Sequence, residues 1–140
     1  MSNLTLHYKV PGDDFSRAGE ASSNIKKTLK QLGFPPAIIR KVAISLYEGE
    51  INMVIHAGGG EIDVEIFPDK IELVLSDNGP GIPDISLAMQ EGYSTATEDV
   101  RDLGFGAGMG LPNMQEYTDD LQIESIVGQG TTVKLLIVNN

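Results

Sequence analysis

The 140-residue chain predicts one α+β domain, with helices packed on one face of a mixed, mostly antiparallel sheet in a two-layer arrangement. Three observations predict it. Apolar residues at a two-residue period recur near the start, in the middle and at the end of the chain. Two stretches of helical period separate the first of these runs from the second. Short turns rich in Gly or Pro join the later runs in pairs. No internal repeat or linker breaks the order, so residues 1–140 are assigned to a single domain.

Leu4, Leu6, Tyr8 and Val10 alternate with polar residues as in a half-buried strand, and Pro11-Gly12 closes it. Asp13 or Asp14 is the expected cap of a helix running to about Gly33, with Ile25, Leu29 and Leu32 on one side. Pro35-Pro36 opens a second helix that continues to His56-Ala57, where Gly58-Gly59-Gly60 stops it. Ile62-Val64-Ile66 and Ile71-Leu73-Leu75 read as a hairpin around Pro68-Asp69-Lys70. Residues 77–110 are long, glycine-rich and weakly periodic apart from a short helix near Ile85 to Glu91, which marks a functional lid or a disordered segment. Leu111 to Asp119 then predicts a helix, and Leu121 to Val127 and Thr131 to Val138 a last strand pair around Gly128-Gln129-Gly130.

Composition excludes several functions. Without cysteine there are no disulfides, thiolate metal sites or Cys nucleophiles. No apolar stretch approaches the roughly 18 residues that span a bilayer, and Met1 to Val10 lacks the pattern of a signal peptide, so a cytoplasmic protein is expected. Ten Lys and Arg against 20 Asp and Glu give a formal charge of −10, which disfavours nucleic acid and anionic membranes as partners. A phosphate compound can still be held by backbone N–H groups, a helix N-terminus or a divalent cation.

Gly104-Phe105-Gly106-Ala107-Gly108-Met109-Gly110 fails both familiar phosphate-loop patterns: the chain has no Gly-Lys pair, and the glycine spacing does not fit GxGxxG. The second helix offers more. Lys41, Ser45, Glu48, Asn52 and His56 fall on one narrow polar stripe, opposite Val42, Leu46, Tyr47, Met53 and Val54. A carboxylate and an amide one turn apart on such a stripe suit a site, although most such pairs are surface residues. "DNGPGIPD", residues 77–84, follows a strand, and taken alone Asp77 reads as an Asx-type turn.

The ordered set decides. Glu48-x-x-x-Asn52 on a helix, Asp77-x-Gly79-x-Gly81 after a strand, Gly106-Ala107-Gly108-Met109-Gly110-Leu111 entering a helix, and Gly128-x-Gly130-Thr131 between strands resemble the four boxes of the GHKL ATP-binding superfamily, whose domain is the Bergerat fold. The chain is most similar there to the small bacterial serine kinases that act as anti-sigma factors or stressosome switch kinases, through "GIPDISLAMQEGYST" (81–95) and "GMGLPNM" (108–114).

The resemblance implies Mg-ATP as ligand, with ADP as product. It makes Asn52 the Mg²⁺ ligand, Glu48 the general base or a structural acid ordering metal-bound water, and Asp77 the acceptor of the adenine amino group. Gly79, Gly81 and Ile82 would line the purine, and Thr131 would join the Asp77 contact. Gly106, Gly108, Met109, Gly110 and Leu111 would form the lid over the phosphates, with Met109 and Met114 as packing residues. Arg101 is either a phosphate contact or a surface residue. His56 fits a packing position and His7 is incidental.

Two departures stand out. Glu50 falls in the apolar arc of the helix, where an unpaired carboxylate is costly. Ala96 to Leu103 is longer and more acidic than in the closest switch kinases. The resemblance implies a serine/threonine protein kinase acting on a STAS-domain anti-sigma antagonist, or a nucleotide-dependent module that sequesters a sigma factor with little catalysis. A phosphatase is a further partner, and homologous anti-sigma kinases dimerise. A detached histidine-kinase domain is disfavoured, because about a dozen residues precede the first helix; larger GHKL ATPases need additional domains.

Overall fold

The computed structural model describes residues 3–12, 19–79, 81 and 114–139. Five strands, β1 (Leu4–Pro11), β2 (Gly59–Phe67), β3 (Lys70–Asp77), β4 (Asp120–Ile126) and β5 (Gly130–Val138), form one sheet in the order β1-β2-β3-β5-β4. All four pairings are antiparallel, so the sheet is not mixed among the described residues. Each expected strand is present; β1, β2, β3 and β5 extend by one to three residues past the apolar run, and β4 starts one residue earlier and ends one residue before the expected Val127. Helices α1 (Glu20–Gln31) and α2 (Pro36–Asn52) supply Ile25, Leu29, Ile38, Ile39, Val42 and Leu46 to a core shared with Ile62, Val64, Ile71, Leu73, Leu75, Val133, Leu135 and Ile137.

The helix boundaries follow from local chemistry. At the end of α1, Gly33 adopts φ +83 and the Phe34 N–H donates to the Leu29 carbonyl at 3.1 Å, the left-handed turn that satisfies orphan carbonyls. Pro35 and Pro36 then start α2 where a missing N–H costs nothing. The last turn of the expected second helix is π-helical, Met53–Ala57, and ends at Gly58 with φ +70. Of the helix expected at Leu111 to Asp119, residues 114–116 are helical and 111–113 lie outside the described residues. Thr118 Oγ1 donates to the Met114 carbonyl at 2.7 Å, competing with the backbone as the chain leaves toward β4. α1 begins at Glu20 with Gly19 as its N-cap, in place of the Asp13 or Asp14 cap expected from the sequence. Asp13, Asp14 and the helix expected near Ile85 lie outside the described residues.

Gly49 sets how closely α2 approaches the sheet. A Cβ there would lie 2.0 Å from Leu75 Cδ2 and 3.7 Å from the sulfur of buried Met114. Glycine inside a helix costs about 1 kcal/mol relative to alanine, so packing accounts for it. Gly49→Ala is expected to lower stability by about 1–3 kcal/mol despite its better helix propensity, measured by urea unfolding.

On the outer face of the sheet His7 opposes Asp63, with Nδ1 2.6 Å from Asp63 Oδ1 and Nε2 3.4 Å from Glu61 Oε1. The hydrogen bond to Asp63, helped by the charges of both acids and outweighing desolvation, raises the imidazole above its ordinary 6.5. The stabilisation from imidazolium is therefore full below pH 6.5 and fades as pH rises through the folded midpoint. An NMR titration should place the His7 midpoint above 6.5, and Asp63→Asn should lower it.

Candidate functional site

The inner face of the sheet is apolar along most of its length and changes character at one end. Inward positions run Ile71, Leu73, Leu75 and then Asp77 on β3. They run Ile137, Leu135, Val133 and then Thr131 on β5, and Leu121, Ile123 and then Ser125 on β4. The ladder register sets Asp77 opposite Thr131 and Thr131 opposite Ser125, so three polar side chains cross neighbouring strands in one row. Asp77 Oδ1 accepts from the Thr131 N–H at 3.2 Å and from the Gly79 N–H at 2.9 Å, the latter an Asx turn as expected from the strand end. Thr131 Oγ1 and Ser125 Oγ are 2.8 Å apart.

Ser125 was not identifiable as a site residue from motif boxes. The signal that finds it is parity, since a hydroxyl stands where the strand's alternation calls for an inward apolar side chain.

Close backbone approaches bring the helix end and this row together. A Cβ on Gly60 would lie 3.0 Å from Met53 Sδ and 3.3 Å from Asp77 Cβ, and one on Gly79 would lie 2.7 Å from Ala57 Cα. Gly81, at φ +81, passes so near the β4–β5 turn that a Cβ would meet the Ile126 carbonyl oxygen at 2.7 Å. Glycine at 79 and 81 is thus required by contacts within the chain itself. Asn52 is the last residue of α2 before the π-helical turn, which packs on β2 and β1, and Glu48 lies one turn earlier; both are half-buried. Ser45, on the same stripe, is fully buried with its hydroxyl donating to the Lys41 carbonyl at 2.7 Å, whereas Tyr47 in the opposing arc is exposed. The stripe therefore flanks the core and is not an ordinary solvated face. Ile82, Gly106, Gly108, Met109, Gly110, Leu111, Arg101 and the 96–103 segment lie outside the described residues, as does the His56 side chain.

Glu50 has a partner that sequence periodicity could not supply. Its side chain is 2% exposed, and its carboxylate accepts from the N–H groups of Gly19 at 3.0 Å, Ala21 at 3.2 Å and Ser22 at 2.7 Å. These are donors of the first turn of α1, whose N-cap, Gly19, has no side chain to satisfy them. A carboxylate from the neighbouring helix does so instead, favoured by the positive end of the helix dipole. A cleft of ≈ 260 Å³ lined by Tyr8, Lys9, Pro11, Asn24 and Glu50 adjoins this contact and includes none of the expected nucleotide residues. Burial, and then the Glu50 charge, pushes the Tyr8 phenol above 10.0.

Residues 46–139 match the histidine kinase-, DNA gyrase B- and HSP90-like ATPases, so the chain belongs to that family of ATP-binding domains. Two relatives narrow the class. The serine/threonine-protein kinase RsbT of Bacillus subtilis is 30% identical over 115 residues, covering 79% of this chain and 80% of the relative. An anti-sigma F factor of Caldanaerobacter subterraneus subsp. tengcongensis is 37% identical over 142 residues, covering 96% and 91%. Within the GHKL superfamily the chain is thus of the anti-sigma and switch-kinase type. A chain in the crystal structure of the SiaB-SiaC complex from Pseudomonas aeruginosa shares the fold, with a TM-score of 0.66 over 94% of this chain and 88% of that one, at 13% identity.

Glu50→Ala would strip the two buried N–H groups of Ala21 and Ser22 and the half-buried one of Gly19 of their acceptor, and about 2–4 kcal/mol of stability should be lost. Glu50→Gln, which keeps one acceptor oxygen, should recover part of it; equal urea midpoints for wild type and Glu50→Ala would contradict the clamp.

Proposed function

We propose that the chain is an ATP-dependent serine/threonine-protein kinase whose substrate is a STAS-domain anti-sigma antagonist, working as one domain in the cytoplasm. Among the described residues no helix is long and apolar enough to cross a membrane. The observation that carries the reading is the inward row of Asp77, Thr131 and Ser125, which ends the apolar face of the sheet. The turn that continues the helix bearing Glu48 and Asn52 comes close to that row, since a Cβ on Gly60 would meet both Met53 Sδ and Asp77 Cβ.

In this reading the adenine amino group donates to Asp77. Among the described residues both hydrogen bonds to the Asp77 side chain fall on Oδ1, which leaves Oδ2 as the acceptor for a purine. Thr131 supports the same wall from β5. The Asn52 amide oxygen suits Mg²⁺, a hard cation that takes neutral and phosphate oxygens and keeps several waters. Bound there, the cation would supply electrostatic neutralisation of the triphosphate. Glu48 accepts the proton of the attacking Ser or Thr hydroxyl as its oxygen bonds to the γ-phosphorus and the bond to the β-phosphate oxygen breaks, releasing ADP. Gly106 to Leu111 closes over the phosphates, with backbone N–H groups in place of cationic side chains.

A second reading is favoured by the 37% identity with an anti-sigma F factor: nucleotide-dependent capture of a sigma factor, with little catalysis. A phosphatase partner and a homodimer belong to the same proposal.

Titration calorimetry with ATP, ADP and GTP, with and without Mg²⁺, tests the pocket, and transfer of labelled γ-phosphate to a purified STAS protein tests the chemistry. Glu48→Ala should lower transfer by about 10²–10⁴-fold while ATP binding persists. Asn52→Ala should lose the Mg²⁺-dependent part of binding. Asp77→Asn keeps an oxygen for the Gly79 and Thr131 N–H groups but puts a donor where an acceptor is needed, so preference for adenine over guanine should be lost with the fold intact. Wild-type ATP affinity in both Asn52→Ala and Asp77→Asn would refute the pocket, and a stoichiometric sigma complex unaffected by Glu48→Ala would favour the second reading.

A further inference from the structure

Charge is distributed very unevenly along this acidic chain. Residues 21–47 contain Lys26, Lys27, Lys30, Arg40 and Lys41, five of its ten Lys and Arg, and none of its 20 Asp and Glu. That span covers α1 after its first residue, the connecting turn and α2 up to Tyr47, and is bounded by Glu20 at the start of α1 and by Glu48 and Glu50 near the end of α2. Among the described residues none of the five has an ion-pair partner. Lys26, Lys27 and Lys30 are exposed and spaced i, i+3 and i+4, a continuous stripe on the side of α1 opposite buried Ile25 and Leu29. Arg40 is exposed on α2, and Lys41 lies on the α2 stripe that carries Glu48 and Asn52. The tip adds apolar surface: Leu32 is 52% exposed beside Gly33-Phe34-Pro35-Pro36. All five cations precede residue 46, where the match to the ATPase family begins, so the shared ATP chemistry does not account for them.

We propose that the outer face of the α1–α2 hairpin is the docking surface for the protein substrate, and that it takes an acidic protein surface with an apolar contact for Leu32. For the phosphoryl transfer that docking leads to, the proposal rests on the kinase reading. The helix itself links the two: Lys41 is two turns, about 10 Å, before Glu48 on one stripe, so a partner seated on the basic face has its hydroxyl-bearing edge directed along α2 toward the base. Charge complementarity selects the occupant. An extended polyanion such as DNA would feel the repulsion of the chain's net −10, whereas a discrete acidic patch on a folded protein meets the hairpin within a Debye length of about 8–10 Å and is screened from the rest.

The test compares two variants of equal charge change, Lys26→Glu with Lys30→Glu on the hairpin and Lys9→Glu with Lys134→Glu on the strands, all four positions being exposed. With a purified STAS protein as substrate, the hairpin variant should raise KM about ten-fold or more at 50 mM salt with kcat and Mg-ATP affinity unchanged, and the strand variant should leave KM near wild type. Rising salt should weaken wild type toward the hairpin variant. A second arm does not depend on catalysis: fluorescence anisotropy with a labelled peptide of alternating Glu and Leu should show salt-sensitive binding that the hairpin variant loses and the strand variant keeps. Peptide binding of that kind without phosphoryl transfer would uphold the docking face and reject the kinase reading. Transfer with equal KM in all three proteins, or tighter binding of single-stranded DNA or phosphatidylserine vesicles than of the peptide, would overturn the docking face.

Discussion

A buried carboxylate joins the two helices of this domain, and the position of the candidate catalytic helix depends on it. Glu50 lies between Glu48 and Asn52 in sequence but faces the other way, into the first turn of α1, where three backbone N–H groups converge on it. Burying an ionised carboxylate costs several kcal/mol unless charge-assisted hydrogen bonds replace water. Here the compensation is mutual, because the same bonds satisfy donors that Gly19 cannot cap. α2 is therefore tied at its C-terminal half to α1 through Glu50 and pressed to the sheet through Gly49, on consecutive residues. The stripe bearing Glu48 and Asn52 is left with little freedom to rotate.

The sheet contributes the complementary constraint. Antiparallel register carries every inward side chain to a defined neighbour, so replacing the last apolar position of β3, β5 and β4 by Asp, Thr and Ser makes a polar row without disturbing the core. Small residues at Gly60, Gly79 and Gly81 let the π-helical turn and the β4–β5 turn close in around that row. An acidic protein can build an ATP site in this way, because backbone dipoles can offset the ligand's charge and lysines need not converge on it.

Strand identity was legible from alternation, helix ends from Gly33 and the Pro35-Pro36 pair, and the family from the spacing of Glu48, Asn52, Asp77 and Thr131. Asp77 and Thr131, singled out by the resemblance, occupy inward positions of their strands. Three things were not legible, for physical reasons. Glu50 looked misplaced because its partners are backbone donors some 30 residues away, and backbone groups leave no trace in composition. The glycines after Asp77 suggested room for a purine, while their nearest neighbours are Ala57 and Ile126, contacts created only by the fold. The polar stripe gave no sign that Ser45 is buried, with its hydroxyl bonded to the preceding turn.

The segregation of charge connects these elements to recognition. A stable helical hairpin ordinarily mixes Glu with Lys at i, i+4 spacing, which adds a few tenths of a kcal/mol per pair. Between Glu20 and Glu48 this hairpin places no carboxylate at i, i+3 or i, i+4 from any of its five cations, which repel one another weakly. That arrangement is mildly unfavourable for the isolated chain and becomes favourable when an acidic surface arrives. The acids on the rest of the chain sharpen the effect, because they repel an acidic partner everywhere except at the hairpin. Orientation would then be decided before contact, by the same charge distribution that keeps polyanions away.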